Sequence, residues 1–309
     1  MTLATKRDIM RNRDSRKTHS WNISKRNPIR CGVMSMNKDF NSQTAFDFVG
    51  EIDKQRLEEL ESEAIEFLKQ NEPTEGYLLG FSGGKDSQVI YELAKMSGVK
   101  FQPYYSITTV DQPELIYFIR KNYPDVKFVR PKYTMWGLIK RNKIAPTRLM
   151  RFCCRYLKET VEGKVIIGVR TEESRSRSLR YATKINHVSR KKILYAPIAD
   201  WTEYDVWAFH KKYNLKHCEL YDLDYTRIGC IGCPFSGKRR ILEISRYPRY
   251  YRLYFKAFKH VKSVESGQKT LEDFITWWLE TDEWKKVRIA GTLVNETLFD
   301  VGVIYKKRF

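Results

Sequence analysis

A six-residue segment of small and charged residues constrains the fold more than any other part of the chain. It reads Ser82-Gly83-Gly84-Lys85-Asp86-Ser87 and lies between an apolar run, residues 76–81, and a mixed run, residues 88–94. The first run has the length and composition of a buried strand, and the second reads as the start of a helix. A strand, a glycine-rich turn and a helix start direct the first backbone N–H groups of the helix, and the positive end of its dipole, at one point. This 82–87 loop therefore predicts an anion-binding site at a strand end.

The spacing within the 82–87 loop excludes two common phosphate-binding motifs. A Walker A loop needs Gly, four residues and then Gly-Lys-Ser/Thr, and a dinucleotide fingerprint needs Gly-x-Gly-x-x-Gly. The segment resembles instead the pyrophosphate loop of the adenine nucleotide alpha-hydrolase group, which includes ATP pyrophosphatases and phosphoadenylyl-sulfate reductases. The resemblance implies that Lys85 neutralises a phosphate or sulfate oxygen. The structural alternative is a plain glycine turn with an Asp or Ser helix cap.

Short apolar runs alternate with helical stretches along the chain. We expect strands at residues 76–81, 101–107, 126–129, 164–169 and 192–196. We expect helices at residues 51–70, 113–122, 135–142 and 151–159. This alternation predicts an α/β fold with a parallel, doubly wound sheet. Because ligands of such folds bind outside the carboxyl ends of the strands, we expect three polar loops to converge, residues 82–87, 108–111 and 170–177.

Charged residues in these loops complete the expected nucleotide site. Arg170 and Arg177 follow a strand and suit bidentate contacts to phosphate or sulfate, with solvated surface arginines as the alternative. The residues expected to bind the nucleotide are Ser82, Gly83, Gly84, Lys85, Asp86, Ser87, Asp111 and Arg170. The residues expected to act in catalysis are Lys85, Asp86, Arg170 and Arg177. Asp86 is also a candidate ligand of Mg²⁺.

The composition indicates a large folded region and an anionic partner. With 309 residues, 42% of them hydrophobic, the chain can form one large α/β domain with extensions, and no apolar run is long enough to span a membrane. The net charge of +20 predicts binding to a nucleotide, a sulfonucleotide or a nucleic acid. Lys and Arg outnumber Asp and Glu 18 to 4 over residues 130–192 and 9 to 1 over residues 238–262.

In the second basic block, aromatic residues alternate with the charges. They are Tyr247, Tyr250, Tyr251, Tyr254, Phe255 and Phe258. The pattern fits phosphate contacts combined with base stacking, and it also fits a helix with an aromatic core face and a basic outer face. We favour the helix with a core face.

The pattern divides the chain into three parts. Residues 1–34 are basic and polar without apolar periodicity, lack the apolar core of a secretory signal and are expected to be disordered. Residues 35–235 form the predicted nucleotide-binding α/β domain with the cysteines. Residues 236–309 form a basic-aromatic, mostly helical extension that is expected to cap the core, with a helix at residues 271–279 and a β-like segment at residues 302–305.

Four of the six cysteines form two close pairs, Cys153-Cys154 and Cys230-x-x-Cys233, with 75 residues between them. A chain without a secretory signal is expected in the cytoplasm, where thiols stay reduced, so the pairs predict a metal site and not disulfides. Adjacent cysteines suit a cubane better than one tetrahedral ion. We therefore expect Cys153, Cys154, Cys230 and Cys233 to hold a [4Fe–4S] cluster, with zinc as the alternative.

The cysteine pattern is similar to the cluster-binding pattern of assimilatory adenylyl-sulfate reductases. Three further segments look like segments of that family in the same order: residues 146–154 with Lys158 after them, residues 167–174 with Arg177, and residues 197–207. On these motifs the chain resembles the phosphoadenosine phosphosulfate (PAPS) reductase family over residues 76–234. The resemblance implies an enzyme of sulfur metabolism that binds an adenine nucleotide.

One feature of sulfonucleotide reductases has no counterpart in these residues. Those enzymes carry a nucleophilic cysteine near the C-terminus in a Glu-Cys-Gly-type motif, and here no cysteine follows Cys233. The first hypothesis is therefore ATP-dependent, adenylating sulfur transfer, as in the sulfur-transfer components of DNA phosphorothioation and the cluster-bearing tRNA thiolation enzymes that the chain resembles. A nucleic acid is a candidate acceptor, and a separate protein is a candidate donor of sulfur or electrons.

Two alternatives remain open. The first is an adenylyl-sulfate or phosphoadenylyl-sulfate reductase that uses a thiol from elsewhere, either another protein or Cys218. The second is a non-catalytic nucleic-acid-binding module in which the cluster is structural.

Overall fold

The fold is taken from a computed structural model, in which residues 54–223, 225–237 and 239–280 are described. They belong to one compact unit of the chain, Asn41–Phe309. The predicted disordered arm, residues 1–34, and the β-like segment, residues 302–305, lie outside the described residues, so both stay predictions.

The described strands form one six-stranded sheet. They are β1 Tyr77–Gly80, β2 Phe101–Ser106, β3 Lys127–Val129, β4 Gly163–Ile167, β5 Ile185–Ser189 and β6 Lys192–Tyr195. Their order across the sheet is β3-β2-β1-β4-β6-β5. Neighbouring strands are parallel, except that β5 runs antiparallel to β6. The predicted doubly wound α/β fold is confirmed, with one antiparallel edge strand added.

The strand order reverses between β1 and β4. From β1 the chain continues outward to β2 and β3, and it then returns to place β4 on the other side of β1. Leu79 of β1 is in register with Pro103 on one side and Ile166 on the other. Ligands of open α/β sheets bind at such a reversal, outside the carboxyl ends of the strands. The loops that follow β1 and β4 border this crevice.

Helices connect the strands and continue beyond the last one. They are α1 Lys54–Gln70, α2 Lys85–Ser97, α3 Pro113–Asn122, α4 Met135–Asn142, α5 Phe152–Leu157, α6 Arg175–Arg180, α7 Glu203–Lys212, α8 Arg239–Arg246, α9 Pro248–Phe258, α10 Lys262–Glu265 and α11 Leu271–Glu280. The predicted limits of α3 and α4 are confirmed, and α11 confirms the helix predicted at residues 271–279. None of the described helices combines the length and the apolar character needed to cross a bilayer.

The described core has two main apolar clusters. The first joins the sheet to α1, α2 and α7, with Leu68, Leu79, Ile90 and Phe209 fully buried. The second joins α4 and α5 to α8, α9 and α11, and includes Leu138, Ile244, Phe258 and Trp278. The indole N–H of Trp278 donates to the carbonyl of Pro146 at 2.8 Å. The first part of the C-terminal extension therefore shares a core with residues that precede it.

Candidate nucleotide-binding site

The 82–87 loop joins the end of β1 to the start of α2 and lies at the strand reversal. Gly83 has a φ of 73°, and a Cβ there would lie 2.6 Å from Leu115 Cδ1. Gly168, in the loop after β4, would place a Cβ 2.9 Å from the backbone of Asp86. Both positions therefore need glycine, because the backbone approaches its neighbours closely. The role of Gly168 did not follow from the sequence, although a glycine directly after a strand is a usable signal.

Hydroxyl groups within the loop fix its shape. Ser82 Oγ donates to Ser87 Oγ at 3.1 Å, and Ser87 Oγ donates to the carbonyl of Gly84 at 2.8 Å. Gly84 is the N-cap residue of α2, and no side chain caps the helix. The structural alternative of an Asp or Ser helix cap is therefore wrong. No side chain of the loop occupies the N-terminus of α2 as a helix cap, which leaves that end of the helix available to an anion.

Lys85 is buried, with 4% of its surface exposed. Its ammonium group donates to the carbonyl of Thr226 at 3.2 Å and lies 3.4 Å from a carboxylate oxygen of Glu203. The same group lies 5.9 Å from the ring centre of Trp207 and 5.7 Å from that of Tyr221. Lys85 therefore sits at the loop, as expected, but its charge is directed at α7 and the segment after it. Its predicted contact to a phosphate stays a prediction.

Asp86 and Arg170 connect the loops after β1 and β4. Arg170 Nε donates to Asp86 Oδ1 at 2.6 Å, and Arg170 Nη1 lies 3.3 Å from Glu172 Oε2. Burial alone would lower the pKa of Arg170, but the charge of Asp86 and of the nearby glutamates raises it. The structure thus brings two predicted site residues together as an ion pair at the crevice.

Arg177 lies further along the same loop, in α6. Its guanidinium pairs with Glu173, and its backbone N–H donates to Ser174, the N-cap residue of α6. Its side chain is about one-third exposed. Its predicted catalytic role therefore stays a prediction.

Asp111 lies in the loop after β2, where it holds a tight turn. Its carboxylate accepts hydrogen bonds from the hydroxyls of Tyr105 and Thr108, at 2.7 and 2.6 Å. It also accepts from the backbone N–H groups of Thr108 and Thr109, at 2.8 and 3.1 Å. Thr109 has a φ of 65°, a conformation that such bonds stabilise. The contact of Asp111 to a nucleotide stays a prediction. The carboxylate could make such a contact only in addition to these four hydrogen bonds or by giving some of them up.

Two side chains that the sequence did not predict contact the backbone of Lys85. The hydroxyl of Tyr221 accepts the N–H of Lys85 at 2.9 Å. His210 Nε2 lies 3.0 Å from the carbonyl of Lys85, and burial lowers the pKa of this histidine, so the neutral ring donates there. Tyr221 and Lys85 are separated by 136 residues. No local sequence signal points to either contact.

The four paired cysteines lie in one region beside the loop after β2. The thiol of Cys153 donates to Cys154, which lowers the pKa of Cys154 to about 5 and raises that of Cys153. Cys230 donates to Thr108 Oγ1 at 3.5 Å. The nearby charge of Cys230, more than that of Cys233 and Cys154, raises the pKa of Lys158. The two distant pairs therefore share one electrostatic environment.

The described cysteines do not form a preformed metal site. Within the described ranges, no group of three or more His, Cys, Asp or Glu side chains is arranged so that it could hold a metal ion. The assignment of these four cysteines to a [4Fe–4S] cluster, or to zinc, therefore stays a prediction.

Cys218 is the remaining cysteine in the described part of the chain. It is fully buried, and burial raises the pKa of its thiol to about 11. A buried, protonated thiol is a poor nucleophile. Recruitment of Cys218 as the thiol of a reductase is therefore not supported by its surroundings.

The aromatic residues of the second basic block pack inward. Tyr254 and Phe258 are buried in the second apolar cluster. The hydroxyl of Tyr250 donates to the carbonyl of Asp111 at 3.0 Å, and that of Tyr247 donates to Glu114 at 2.8 Å. These contacts match the favoured interpretation, a helix with an aromatic core face.

A doubly wound sheet with a glycine-rich loop and a helix start at the strand reversal has the architecture in which α/β folds bind ligands outside the carboxyl ends of the strands. Residues 76–236 match the family model of the phosphoadenosine phosphosulfate reductase domain, which is more than half of the 309 residues. The chain belongs to this family, as its motifs predicted.

Proteins similar to this chain include uncharacterized proteins and sulfonucleotide reductases. A Methanocaldococcus jannaschii protein described as uncharacterized is 27% identical over 245 residues, covering 73% of this chain and 59% of that protein. The adenosine 5'-phosphosulfate reductase of Staphylococcus saprophyticus is 29% identical over 163 residues, covering 48% of this chain and 61% of the reductase. The chain thus spans less than two thirds of the length of these relatives. The crystal structure of phosphoadenylyl-sulfate reductase from Candida auris is similar over 59% of this chain and 97% of that chain, with 17% identity and a TM-score of 0.40.

Proposed function

We propose that the chain binds an adenine nucleotide at the 82–87 loop and uses ATP to activate an acceptor for sulfur transfer. The observation that carries this proposal is the close-packed glycine loop at the strand reversal, where Gly83 and Gly168 leave no room for a Cβ. Such a loop presents backbone N–H groups and a helix N-terminus to an anion. Membership in a family that acts on adenine nucleotides supports a nucleotide as the source of that anion.

The proposed step is in-line attack of an acceptor oxygen on the α-phosphorus of ATP. A bond forms between the acceptor oxygen and phosphorus, the bond to the bridging oxygen breaks, and pyrophosphate leaves with that electron pair. The loop N–H groups stabilise the leaving pyrophosphate, and Lys85 exchanges the carbonyl of Thr226 for a phosphate oxygen. Asp86 is the residue proposed to hold Mg²⁺, which neutralises phosphate charge when bound. A sulfur nucleophile from a donor protein then displaces AMP from the acceptor.

We propose Cys153, Cys154, Cys230 and Cys233 as the ligands of a [4Fe–4S] cluster, which would supply a binding site for sulfur beside the nucleotide. The support is the shared environment of the two cysteine pairs around Lys158. Such thiols must stay reduced, which fits a cytoplasmic location. Anaerobic loading should give about four irons per chain for the wild type and for Cys218→Ser, and clearly fewer for Cys154→Ser. Bound zinc in place of iron would contradict the cluster.

The second candidate function is sulfonucleotide reduction with a thiol from another protein. It is favoured by the similarity to an adenosine 5'-phosphosulfate reductase. Because Cys218 is buried, the described residues hold no accessible thiol outside the two cysteine pairs, so this reaction would depend on the thiol of the other protein.

Product analysis separates these functions. The cluster-loaded protein is incubated anaerobically with ATP, adenylyl sulfate, phosphoadenylyl sulfate, a dithiol and a nucleic-acid mixture, and the products are identified by mass spectrometry. AMP with pyrophosphate supports activation by ATP. Sulfite with AMP or adenosine bisphosphate shows a reductase, and intact nucleotides with salt-sensitive nucleic-acid binding favour the non-catalytic module.

A matched pair of lysine variants tests the role of the loop. Lys85→Ala should lower the rate of pyrophosphate release by about 100-fold or more, because it removes the positive charge that stabilises the leaving pyrophosphate. Lys95→Ala is the control, since Lys95 lies on the same helix but pairs with Glu92 at the surface. Equal rates for the two variants would contradict the proposed role of Lys85.

A further inference from the structure

The hydroxyl of Tyr221 lies beside the 82–87 loop and has a hydrogen that is not donated to another described residue. The hydroxyl oxygen accepts the backbone N–H of Lys85 at 2.9 Å, so its own hydrogen must point away from that group. Among the described residues, no acceptor receives this hydrogen. The neighbouring carboxylate, Asp222, is engaged by His217 at 2.8 Å. A donor without an acceptor therefore stands beside an anion-binding loop.

The ring of Tyr221 is fixed in place. It packs edge-to-face against Trp207, with ring centres 5.3 Å apart, and the ammonium group of Lys85 lies 5.7 Å from its centre. The hydroxyl is also close to the loop itself, because a Cβ on Gly84 would lie 3.2 Å from it. Burial raises the pKa of Tyr221, so the hydroxyl stays protonated at neutral pH. The group is thus a positioned hydrogen-bond donor.

We propose that Tyr221 is a ligand of the anion bound at the 82–87 loop. Its hydroxyl accepts the N–H of Lys85 and donates its own hydrogen to a phosphate or sulfate oxygen of the nucleotide. The segment after α7 thereby supplies the loop with an additional hydrogen-bond donor. The N–H of Lys85 does not contact the anion directly in this arrangement, but it polarises the hydroxyl that does. This inference rests on the proposed function, since it needs a nucleotide at the loop.

Substitution of the hydroxyl alone tests the proposal. Tyr221→Phe keeps the ring and its packing, and ATP and adenosine are used as probes in anaerobic calorimetry. ATP affinity should fall about ten- to hundredfold, the range for a hydrogen bond to a charged group, while adenosine affinity stays unchanged. Tyr213→Phe is the matched control, because its hydroxyl donates to Glu61 and not to the loop.

Each result decides a separate point. ATP affinity of Tyr221→Phe within twofold of the wild type, or tighter, would overturn the proposal and show that the hydroxyl only packs against the loop. Equal losses for ATP and adenosine would overturn it too. A wild type that binds no ATP would remove the proposed function itself. A second variant preserves the packing of the ring. Protein with 3-fluorotyrosine at position 221 has a more acidic hydroxyl, which is a stronger hydrogen-bond donor, so it should bind ATP more tightly than the wild type. Weaker binding would contradict the proposal.

Discussion

The charged side chains around the 82–87 loop satisfy one another. Lys85 lies 3.4 Å from Glu203 and 3.8 Å from Asp86, and Asp86 also binds Arg170. An anion that enters this site must replace carboxylates as the partner of these cations. A phosphate group with several charges does so more readily than a carboxylate, since it accepts more hydrogen bonds at once. If the loop binds an anion as proposed, this arrangement would favour polyphosphate or sulfophosphate ligands over singly charged ones.

Gly168→Ala should damage the site without touching the nucleotide. The added Cβ would lie 2.9 Å from the backbone of Asp86, and backbone cannot move aside as a side chain can. We expect a loss of about 1–3 kcal/mol in the free energy of unfolding, together with weaker ATP binding. Denaturant unfolding and calorimetry measure the two effects.

Gly229→Ala is the control for this substitution. A Cβ at Gly229 meets no atom within 4 Å, so the unfolding free energy should change by less than about 0.5 kcal/mol. Equal stability of the Gly168→Ala and Gly229→Ala proteins would show that the loops after β1 and β4 can separate at little cost.

The residues of the loop can be predicted from the sequence, but not all of the side chains that hydrogen-bond to them. The 82–87 loop follows from local rules, because a strand, glycines and a helix start are adjacent in the chain. Tyr221 contacts Lys85 across 136 residues, and no local pattern encodes such a contact. Asp111 was expected at a nucleotide, yet its carboxylate holds the turn that contains Thr109.

At the scale of elements, α8 holds the turn that carries Cys230 and Cys233. Glu243, 4% exposed, accepts the backbone N–H of Gly232 at 3.2 Å and the hydroxyl of Ser236 at 3.1 Å. Helix α9 adds the hydroxyl of Tyr254, which donates to the carbonyl of Ile231 at 2.9 Å. Two helices of the C-terminal extension therefore shape the cysteine turn, whether or not they touch a nucleic acid.

The burial of Glu243 should make stability depend on pH. Burial raises its pKa from 4.5 to about 7, so the folded state binds a proton that the unfolded state releases. The free energy of unfolding should therefore fall as the pH rises from about 4.5 to 7, by on the order of 3 kcal/mol. Glu243→Gln should keep the acceptor oxygen and lose this dependence. Urea unfolding at pH 5 and pH 8 measures it, and identical slopes for the two proteins would contradict the expectation.

Most helices and strands could be predicted because residues with a known preference for helix starts mark where they begin. Pro113 opens α3, and Thr134 caps α4 by accepting the N–H of Gly137. Strand β5 was not predicted, because Ile185–Ser189 has three exposed residues and gains its hydrogen bonds from β6. Helix α6 was not predicted either, since Arg-Ser-Arg-Ser-Leu-Arg has no apolar face and Leu179 is 76% exposed.

At the scale of the whole molecule, the chain carries a net charge of +20, and exposed arginines lie at both edges of the sheet. Helix α6 follows β4 and so lies at the edge of the sheet that carries the 82–87 loop. Its exposed residues Arg175 and Arg180 form no ion pair with another described residue. Arg190, also exposed, lies in the turn between β5 and β6, at the opposite edge. A nucleic-acid acceptor for the proposed reaction would use the first edge.

The salt dependence of binding tests this placement. Each phosphate contact adds about 0.7 to 0.9 to the slope of log K against log salt concentration, so Arg175→Gln with Arg180→Gln should reduce the slope for a nucleic acid by about 1.4 to 1.8. Arg190→Gln should leave it unchanged, because that residue faces away from the site. Fluorescence anisotropy of a labelled single strand at several salt concentrations gives the slope. If Arg190→Gln reduced the slope as much as the double variant, the positive charge of the protein would attract nucleic acid without directing it to the 82–87 loop. A small molecule would then be the better candidate acceptor.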